Sequence, residues 1–360
     1  MSQNRKREIT IVPLREVHPS EADWLRVLFD GFDVNWLDFR KETPFFDNAL
    51  YLYNDHRALD LPETVMRELQ SLKGCGLIHL GDEFARSSLK AYANFDYVLR
   101  TFPFSKTNNP GVYGFPVGYT NNLGDRSDKP ASIRQHTWMF AGDWKADRSL
   151  MANAFKNVPG GLLSLTRNLA GEKRMPREEY LSSMADCVFV PCPSGNVLLE
   201  TCRAYEALHF GAIPLLPKRK HRDVYLEFFG PHPIPTFATW PEAAKFVRDL
   251  IIDPKRCDAL QIECIEWWDT IQKKWQEEIV EFVLAGQNGE FTQTLKSNFT
   301  GHSISSFDRF HNLLQQQTTQ QIWARVGRSV ALIGNKVGIN KGNSSGWSIH
   351  ASDGKNDLNR

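Results

Sequence analysis

Short apolar runs alternate along the chain with segments whose apolar residues recur every three or four positions. Apolar runs bounded by turn residues predict buried β-strands, and the periodic segments predict amphipathic helices. In the first third of the chain this pattern predicts strands at 9–13, 49–53, 76–80, 97–102 and 112–117 and helices at 61–73 and 84–94. Strands that alternate with helices in this way are typical of a parallel sheet covered on both faces.

A polar stretch at 121–135, which contains Gly124 and Pro130, separates this region from a second one with the same alternation. The second region is predicted to contain strands at 137–141, 187–191 and 211–216 and helices at 146–155, 177–185, 198–210 and 240–252. From 255 to 285, apolar residues recur at spacings of four and three, which predicts a long amphipathic helix ending at Gly286. We therefore expect an α/β protein with two facing Rossmann-like domains and C-terminal helices.

These patterns divide the chain into four parts. The predicted boundaries are a first domain at 1–130, a second at 131–286, a helical extension at 287–333 and a tail at 334–360. A chain of 360 residues is longer than one compact core usually requires, so two domains are expected. The tail is rich in Gly, Ser and Asn and has little to bury, which predicts disorder.

Charge and composition exclude several classes of partner. The chain has 43 basic and 42 acidic residues, a balance that gives no field for attracting nucleic acid. No apolar run approaches the ~20 residues that cross a bilayer, and the first eight residues are too polar for a signal peptide. Six cysteines lack paired C-x-x-C spacing, which favours reduced thiols and a cytoplasmic protein. Peripheral membrane contact through the tryptophan-rich helix at 257–284 stays open, although core packing is favoured.

The most informative segment is 187–216, which reads as a buried strand, a Pro/Gly turn, a helix, a glycine and a second buried strand. A parallel strand pair joined by a helix places the turn and the start of the helix at the carboxyl edge of the sheet. That edge is where α/β folds bind nucleotides and phosphates. The backbone N–H groups of Ser194, Gly195 and Asn196 are therefore expected to surround a phosphate.

The helix after this turn carries charge on one face. At about 100° per residue, Glu200, Arg203 and Glu206 share that face. It can be an ordinary solvated stripe, or its guanidinium can pair with a diphosphate while a carboxylate accepts from ribose hydroxyls. The position behind the turn favours the second interpretation, although the turn has neither a P-loop lysine nor a G-x-G-x-x-G pattern.

The segment Pro193-Ser-Gly, followed by Arg203-Ala-Tyr-Glu-Ala-Leu and Gly211-Ala-Ile-Pro, resembles the donor-binding core of exostosin-like glycosyltransferases. In that family a P-x-G loop precedes an R-x-x-E-A-L helix and a G-x-I-P strand. Looser similarity extends upstream to His79-Leu-Gly-Asp-Glu and to Phe140-Ala-Gly with Arg148. The resemblance covers roughly 75–285 and is specific at 187–216.

The resemblance implies a GT-B fold with a nucleotide sugar, usually a UDP-sugar, in the C-terminal domain and the acceptor on the N-terminal domain. It implies inverting transfer to a glycan, glycolipid or other hydroxyl acceptor, without an essential metal or other cofactor. Arg203 would then hold the diphosphate and Glu206 the ribose, with Gly142 and Arg148 beside them. The membrane anchor of the better-known animal members has no counterpart in this sequence.

An inverting reaction needs one base to take the proton of the acceptor hydroxyl and positive groups to stabilise the departing diphosphate. The predicted base lies at the end of the strand 76–80, where His79, Asp82 and Glu83 are the candidates. Asp82 can instead cap the following helix, and His79 can be a core histidine. Arg100 and Arg148 can assist the phosphates, although structural ion pairs are favoured for both. Arg219, in the basic run 218–222, is a further candidate for contact with the donor.

Other functions have weaker signals. The histidines are scattered and no D-x-D pair follows a strand, so no metal site is predicted. A catalytically silent nucleotide- or glycan-binding protein would keep the same fold without the base. A retaining GT-B enzyme is a third possibility, because Glu200 and Glu206 resemble the paired glutamates of that group at a shorter spacing than its E-x7-E pattern.

Overall fold

The computed structural model describes residues 6–15, 21–39, 44–54, 59, 61–83, 87, 89–104, 107–144, 147–166, 174–195, 199–219 and 223–299. These residues form two parallel sheets with helices packed on their faces. The predicted α/β class with two sheet-containing units is confirmed. The predicted helical extension beyond residue 299 and the tail 334–360 lie outside the described residues.

The first sheet and its helices form the N-terminal lobe. Its strands are β1 (Arg7–Pro13), β2 (Phe32–Trp36), β3 (Leu50–Asn54), β4 (Gly76–Leu80), β5 (Tyr97–Arg100) and β6 (Val112–Gly114), arranged in the order β2-β1-β3-β4-β5-β6. The helices are α1 (Ala22–Leu28), α2 (Glu63–Ser71) and a 3₁₀ helix at Leu89–Asn94. β4 is buried along its whole length, as its continuous apolar sequence predicts for a central parallel strand.

The second sheet and its helices form the C-terminal lobe. Its strands are β7 (His136–Asp143), β8 (Gly161–Thr166), β9 (Cys187–Pro191), β10 (Ile213–Pro217) and β11 (Thr236–Phe237), arranged in the order β11-β10-β9-β7-β8. The helices are α3 (Arg148–Phe155), α4 (Arg177–Ala185), α5 (Cys202–His209), α6 (Val224–Phe229) and α7 (Trp240–Leu250). Strand order reverses between β9 and β7, so the carboxyl ends of these strands flank a crevice of the kind that binds ligands in open α/β sheets.

A single long helix, α8 (Pro254–Gln287), contacts both lobes and is followed by α9 (Thr292–Phe299). Trp268 stacks on Trp24 of α1 with ring centroids 5.8 Å apart, and Gln276 donates to the Val27 carbonyl at 2.8 Å. Further along α8, a Cβ on Gly286 would overlap the Tyr97 ring of β5. Trp268 and Trp275 are buried, which confirms that tryptophans of this helix pack in the core. None of the described helices is long and apolar enough to cross a membrane.

The segment 115–135 carries the chain from the first sheet to the second. Trp24 donates its indole N–H to the Pro116 carbonyl at 2.9 Å, and its ring covers Gly118. Gly118 has a φ of +63°, and any Cβ there would overlap that ring, so only glycine fits. Arg126 forms a bidentate ion pair with Asp269 of α8, with N–O distances of 2.9 and 2.6 Å. The crossing is therefore fixed against α1 and α8 rather than being a loose linker.

Candidate functional site

A cavity of about 280 Å³ lies at the carboxyl ends of β7 and β8 and is called here the C-terminal cavity. Its lining residues are Ala141, Gly142, Asp143, Arg148, Ser164, Thr166, Arg174, Met175, Tyr180 and Arg203. The arginines come from three separate elements: the start of α3, the segment before α4 and the first turn of α5. Three guanidinium groups face one carboxylate, Asp143, so the lining has an excess of positive charge.

Arg203 and Arg148 lie on the same aromatic ring. Their guanidinium carbons are 4.3 and 5.6 Å from the centroid of Phe140. Arg203 donates to the Ala141 carbonyl at 2.7 Å, and Arg148 donates to the Asp143 carbonyl at 3.0 Å. Each Nε is buried and has no hydrogen-bond partner among the described residues. The two cations are thus held by backbone and ring contacts, not by side-chain carboxylates.

The two guanidinium groups are close enough to repel each other. Burial and the positive charge of Arg203 lower the pKa of Arg148 to about 10. An anion with two or more acceptor oxygens would relieve that repulsion and accept charge-assisted hydrogen bonds from both groups. The C-terminal cavity therefore has the chemistry of a phosphate or diphosphate site.

Gly142 makes room for both guanidinium groups. A Cβ at this position would lie 3.1 Å from the Arg203 Nη2 atom and 3.3 Å from the Arg148 Nη1 atom. The sequence prediction placed Gly142, Arg148 and Arg203 together at the donor, and the structure brings these three residues together.

We expect Gly142→Ala to weaken binding of UDP modestly and Gly142→Val to weaken it by about tenfold or more, because each added methyl group displaces the guanidinium tips. Titration calorimetry with UDP measures the series. The melting temperature serves as the control, since Gly142 is in a strand where a larger residue is otherwise compatible with the backbone. Equal affinity in all three proteins would contradict this role for the close approach.

The turn after β9 differs from its prediction. Cys192 and Ser194 are fully buried, and the Ser194 N–H donates to Oδ1 of Asp147 at 3.1 Å. Oδ2 of Asp147 accepts from the Trp240 indole at 2.8 Å, and burial raises the pKa of this carboxyl. The prediction that the Ser194 amide is open to phosphate is therefore wrong, because the amide already has a carboxylate partner. Gly195 is partly exposed, and Asn196 lies outside the described residues.

Glu206 lies on the buried side of α5, with 6% of its surface exposed. Its two oxygens accept from the hydroxyl groups of Thr120 and Tyr180, each at 2.7 Å. Thr120 belongs to the crossing segment and Tyr180 lines the C-terminal cavity. Of the predicted charged face, only Arg203 lines this cavity, and Glu206 contacts it through Tyr180. Its predicted contact with ribose stays a prediction.

Arg219 follows β10 and is partly buried, but it is not in the lining of the C-terminal cavity. Arg174 is in that lining and was not predicted. It pairs with Asp143 at 3.3 Å, and Asp143 also accepts from Thr166 at 3.3 Å. The signal for Arg174 was its position after β8, a strand that the apolar pattern did not reveal.

Two of the three predicted base candidates are in the core of the N-terminal lobe. The imidazole of His79 is fully buried, with Nδ1 2.7 Å from the Tyr92 hydroxyl and Nε2 3.3 Å from the Ser87 hydroxyl. Burial, with the charge of Arg100, lowers the pKa of His79 well below its usual value. Asp82 is 2% exposed and pairs with Arg100 at 3.3 Å. The expectation that these two side chains reach the cleft is wrong, because both are sealed within a buried network.

Arg100 completes that network. Its guanidinium also donates to the Tyr92 hydroxyl at 2.8 Å and to the carbonyls of Thr101 and Phe102 at 3.1 and 3.2 Å. The interpretation of Arg100 as a structural ion-pair partner is confirmed. For Arg148 the structure shows the opposite, since it lines the C-terminal cavity.

Glu83 is the remaining candidate and is partly exposed. It lies close enough to Glu200 of the C-terminal lobe for its negative charge to contribute to a raised pKa there. Glu200 precedes α5 and accepts from the N–H of Val117 at 3.0 Å, which belongs to the crossing segment. Side chains that follow the carboxyl ends of β4 and β9 therefore lie within electrostatic reach of each other.

A second cavity, of about 320 Å³, lies at the carboxyl edge of the first sheet and is called the N-terminal cavity. Its lining residues are Ile11, Pro13, Glu21, Ala22, Leu25, Arg26, Trp36, Leu37, Asp38, Phe39, Leu52 and Leu80. Apolar side chains form most of this lining, and the carboxylates of Glu21 and Asp38 lie among them. Within the described ranges, no group of three or more His, Cys, Asp or Glu residues could hold a metal ion.

No protein-family model matches the chain, and the search of curated proteins finds no match. Among solved structures, the chain is similar to an α1,3-fucosyltransferase at 12% identity and a TM-score of 0.47, over 80% of this chain and 92% of that one. It is similar to a DNA-modifying β-glucosyltransferase, determined with and without uridine diphosphoglucose, at 10% identity and a TM-score of 0.47. This match covers 77% of this chain and 99% of that one. It is also similar to TarM at 8% identity and a TM-score of 0.42, over 67% of this chain and 55% of that one.

Proposed function

We propose that this protein is a glycosyltransferase of GT-B type that takes its sugar from a nucleotide-diphosphate donor. The observation that carries the proposal is the pair Arg148 and Arg203, stacked on Phe140 inside the C-terminal cavity. Among the described residues, neither guanidinium forms a hydrogen bond or an ion pair with a carboxylate, and both line a cavity at the carboxyl edge of a parallel sheet. A diphosphate carries the charge and the acceptor oxygens that such a pair requires.

The donor is proposed to be a UDP-sugar, on the basis of the exostosin-like sequence at 187–216. In this proposal the two guanidinium groups hold the diphosphate, and Arg174 and Tyr180 line the same cavity. The positive charge of the arginines would stabilise the diphosphate as it departs, so that transfer proceeds without an essential metal. Single-displacement transfer would invert the configuration of the anomeric carbon.

The acceptor is proposed to bind in the N-terminal cavity, which opens at the carboxyl edge of the facing sheet. Its apolar lining would pack against the faces of a sugar ring or a lipid-like group. Glu21 and Asp38 would accept hydrogen bonds from acceptor hydroxyls, as carboxylates do at polar positions in mostly apolar pockets. A glycan or glycolipid hydroxyl fits this combination.

A thermal-shift screen against nucleoside diphosphates and their sugars tests the donor. We expect UDP and one UDP-sugar to raise the melting temperature most, because a ligand that binds the folded state stabilises it in proportion to the logarithm of its saturation. The selected UDP-sugar is then incubated with a panel of aryl glycosides, with and without EDTA, and NMR gives the configuration of the product. Binding of UDP without transfer or hydrolysis would instead indicate a catalytically silent protein, and retained configuration would exclude inversion.

A further inference from the structure

The proposed function needs a proton acceptor, and the inference below rests on that function. Glu200 lies in the turn immediately before α5, two residues ahead of its first residue. Its Oε1 atom accepts from the Val117 N–H at 3.0 Å and also from the hydroxyl of Tyr205. Tyr205 is fully buried and Val117 belongs to the crossing segment, so two rigid elements fix this oxygen. One oxygen of the carboxyl group is thus anchored between the lobes.

The other oxygen, Oε2, has no donor among the described residues, and the Glu200 side chain is partly exposed. A carboxyl group used only as a structural acceptor usually directs both oxygens to donors, as Glu206 does with Thr120 and Tyr180. Glu200 instead presents one oriented, accessible oxygen. That is the geometry a general base requires.

Glu200 is also linked to residues of both cavities. Arg203, three residues along the chain, lines the C-terminal cavity, while Glu21 lines the N-terminal cavity. Cys202, between Glu200 and Arg203, is within electrostatic reach of both Glu21 and Glu200. The turn that carries Glu200 is therefore three residues from an arginine of the proposed donor cavity and within electrostatic reach of a carboxylate of the proposed acceptor cavity.

We propose that Glu200 is the general base of the transfer, and that its free Oε2 atom takes the proton of the acceptor hydroxyl. In the balanced step, the O–H bond of the acceptor breaks as its proton moves to Oε2. The acceptor oxygen forms a bond to the anomeric carbon, and the bond from that carbon to the diphosphate breaks. Its electron pair leaves with the diphosphate, beside Arg148 and Arg203.

The pKa of Glu200 suits a general base that works near neutral pH. Burial, with a contribution from the negative charge of Glu83, raises its pKa to about 7 even though the hydrogen bonds from Tyr205 and Val117 lower it. Among the described residues, the other titratable groups that interact with it are the Cys202 thiol and the phenols of Tyr205 and Tyr225, all neutral at that pH. A carboxylate with a pKa near neutrality is a stronger base than an ordinary glutamate and is still deprotonated above pH 7.

The same shift has a cost in stability. A carboxyl group whose pKa is higher in the folded protein stabilises the fold fully only below its usual pKa, here 4.5, and loses that contribution as the pH rises through about 7. Glu200→Gln resembles the protonated form and can still accept from Val117 and Tyr205. We therefore expect this variant to be at least as stable as the parent at pH 8.

The test compares Glu200→Gln with the parent, and with Glu277→Gln as an exposed control on α8. Release of UDP from the UDP-sugar selected by thermal shift is measured from pH 5 to 9, with aryl glycosides and with water as acceptors. We expect Glu200→Gln to lower the rate by about 10²–10⁴-fold while UDP binding and melting temperature are kept. The rate of the parent should rise with pH to a plateau, with an apparent pKa near 7.

The variant Glu83→Gln distinguishes the role of Glu83 from that of Glu200. Since the charge of Glu83 raises the pKa of Glu200, its removal should move the rising limb of the pH profile to lower pH and leave the plateau rate within a few-fold. Loss of the plateau in Glu83→Gln together with an active Glu200→Gln would overturn the inference and make Glu83 the base. A Glu200→Gln protein that loses UDP binding and stability together would also overturn it, by showing a structural role. A parent that binds UDP and never transfers would overturn the proposed function itself.

Discussion

Replacing Arg203 with alanine should weaken the binding of UDP by about 100-fold or more, which corresponds to about 2.7 kcal/mol or more. The guanidinium is held by the Ala141 carbonyl and the Phe140 ring, in a cavity where water competes less than at an open surface. A charge-assisted hydrogen bond to phosphate in such surroundings is stronger than one at an open surface, and its removal leaves the partner charge without compensation. Titration calorimetry with UDP measures the loss.

The stability of the Arg203→Ala protein should not fall in parallel. In the unliganded protein, Arg203 and Arg148 repel each other, and the pKa of Arg148 is lowered partly for that reason. Removing one cation relieves this repulsion, so the free energy of unfolding should stay within about 1 kcal/mol of the parent value, although the contact with Phe140 is lost. Loss of ligand binding without loss of stability is the expected signature of a binding residue.

Two further variants complete the comparison. Arg203→Lys keeps the charge but lacks the planar fork, so we expect an intermediate affinity. Arg248→Ala removes an exposed arginine on α7 and should leave UDP affinity unchanged. If Arg203→Ala bound UDP as tightly as the parent, the C-terminal cavity would not be the diphosphate site.

The parts of the fold that could be predicted are those in which local sequence determines the structure. β9 and α4 have the predicted bounds because an unbroken apolar run and a proline-started helix leave few alternatives. α7 begins at the predicted residue, 240, where Thr239 and Glu242 form a capping box. The long helix was predicted within two residues at each end, because its apolar periodicity extends over many turns.

The elements that were missed depend on tertiary contacts. β8 is an edge strand with mostly exposed or half-exposed residues, and Ser164 interrupts its leucines, so its apolar run is short. β2 is likewise an edge strand, and α1 is only seven residues long. Because β8 was missed, the segment after it was not placed at the carboxyl edge, and Arg174 was not proposed.

The candidate bases show a second limit of sequence reasoning. The sequence correctly places His79, Asp82 and Glu83 at the end of β4, but it cannot show which side chains turn inward. That choice depends on Arg100, from the neighbouring strand, whose buried charge requires the carboxylate of Asp82. For Glu200, the sequence predicted a helical position, whereas α5 begins two residues later. Its place in a turn, where it accepts from Val117 of the crossing segment, is a property of the assembled protein.

The buried pair of Arg100 and Asp82 should have the largest effect on stability. The side chains are 0% and 1% exposed, and the guanidinium contacts two backbone carbonyls and the Phe104 ring in addition to the carboxylate. Arg100→Met removes the cation that pairs with the buried Asp82 carboxylate, and breaking a buried ion pair from one side costs about 3–5 kcal/mol. Asp82→Asn leaves the cation uncompensated and should cost a similar amount. Urea unfolding measures both.

The double variant Asp82→Asn with Arg100→Met should be less destabilised than the sum of the single variants, because both members of the ion pair are removed together. Lys245→Met, which breaks an exposed pair with Asp249 on α7, is the matched control and should change stability by less than about 1 kcal/mol. UDP affinity of the folded fraction should be unchanged in all of these proteins, because the network lies in the N-terminal lobe. If Asp82→Asn instead kept full stability and abolished transfer, Asp82 would be acting on the substrate and the base would have to be sought at the end of β4.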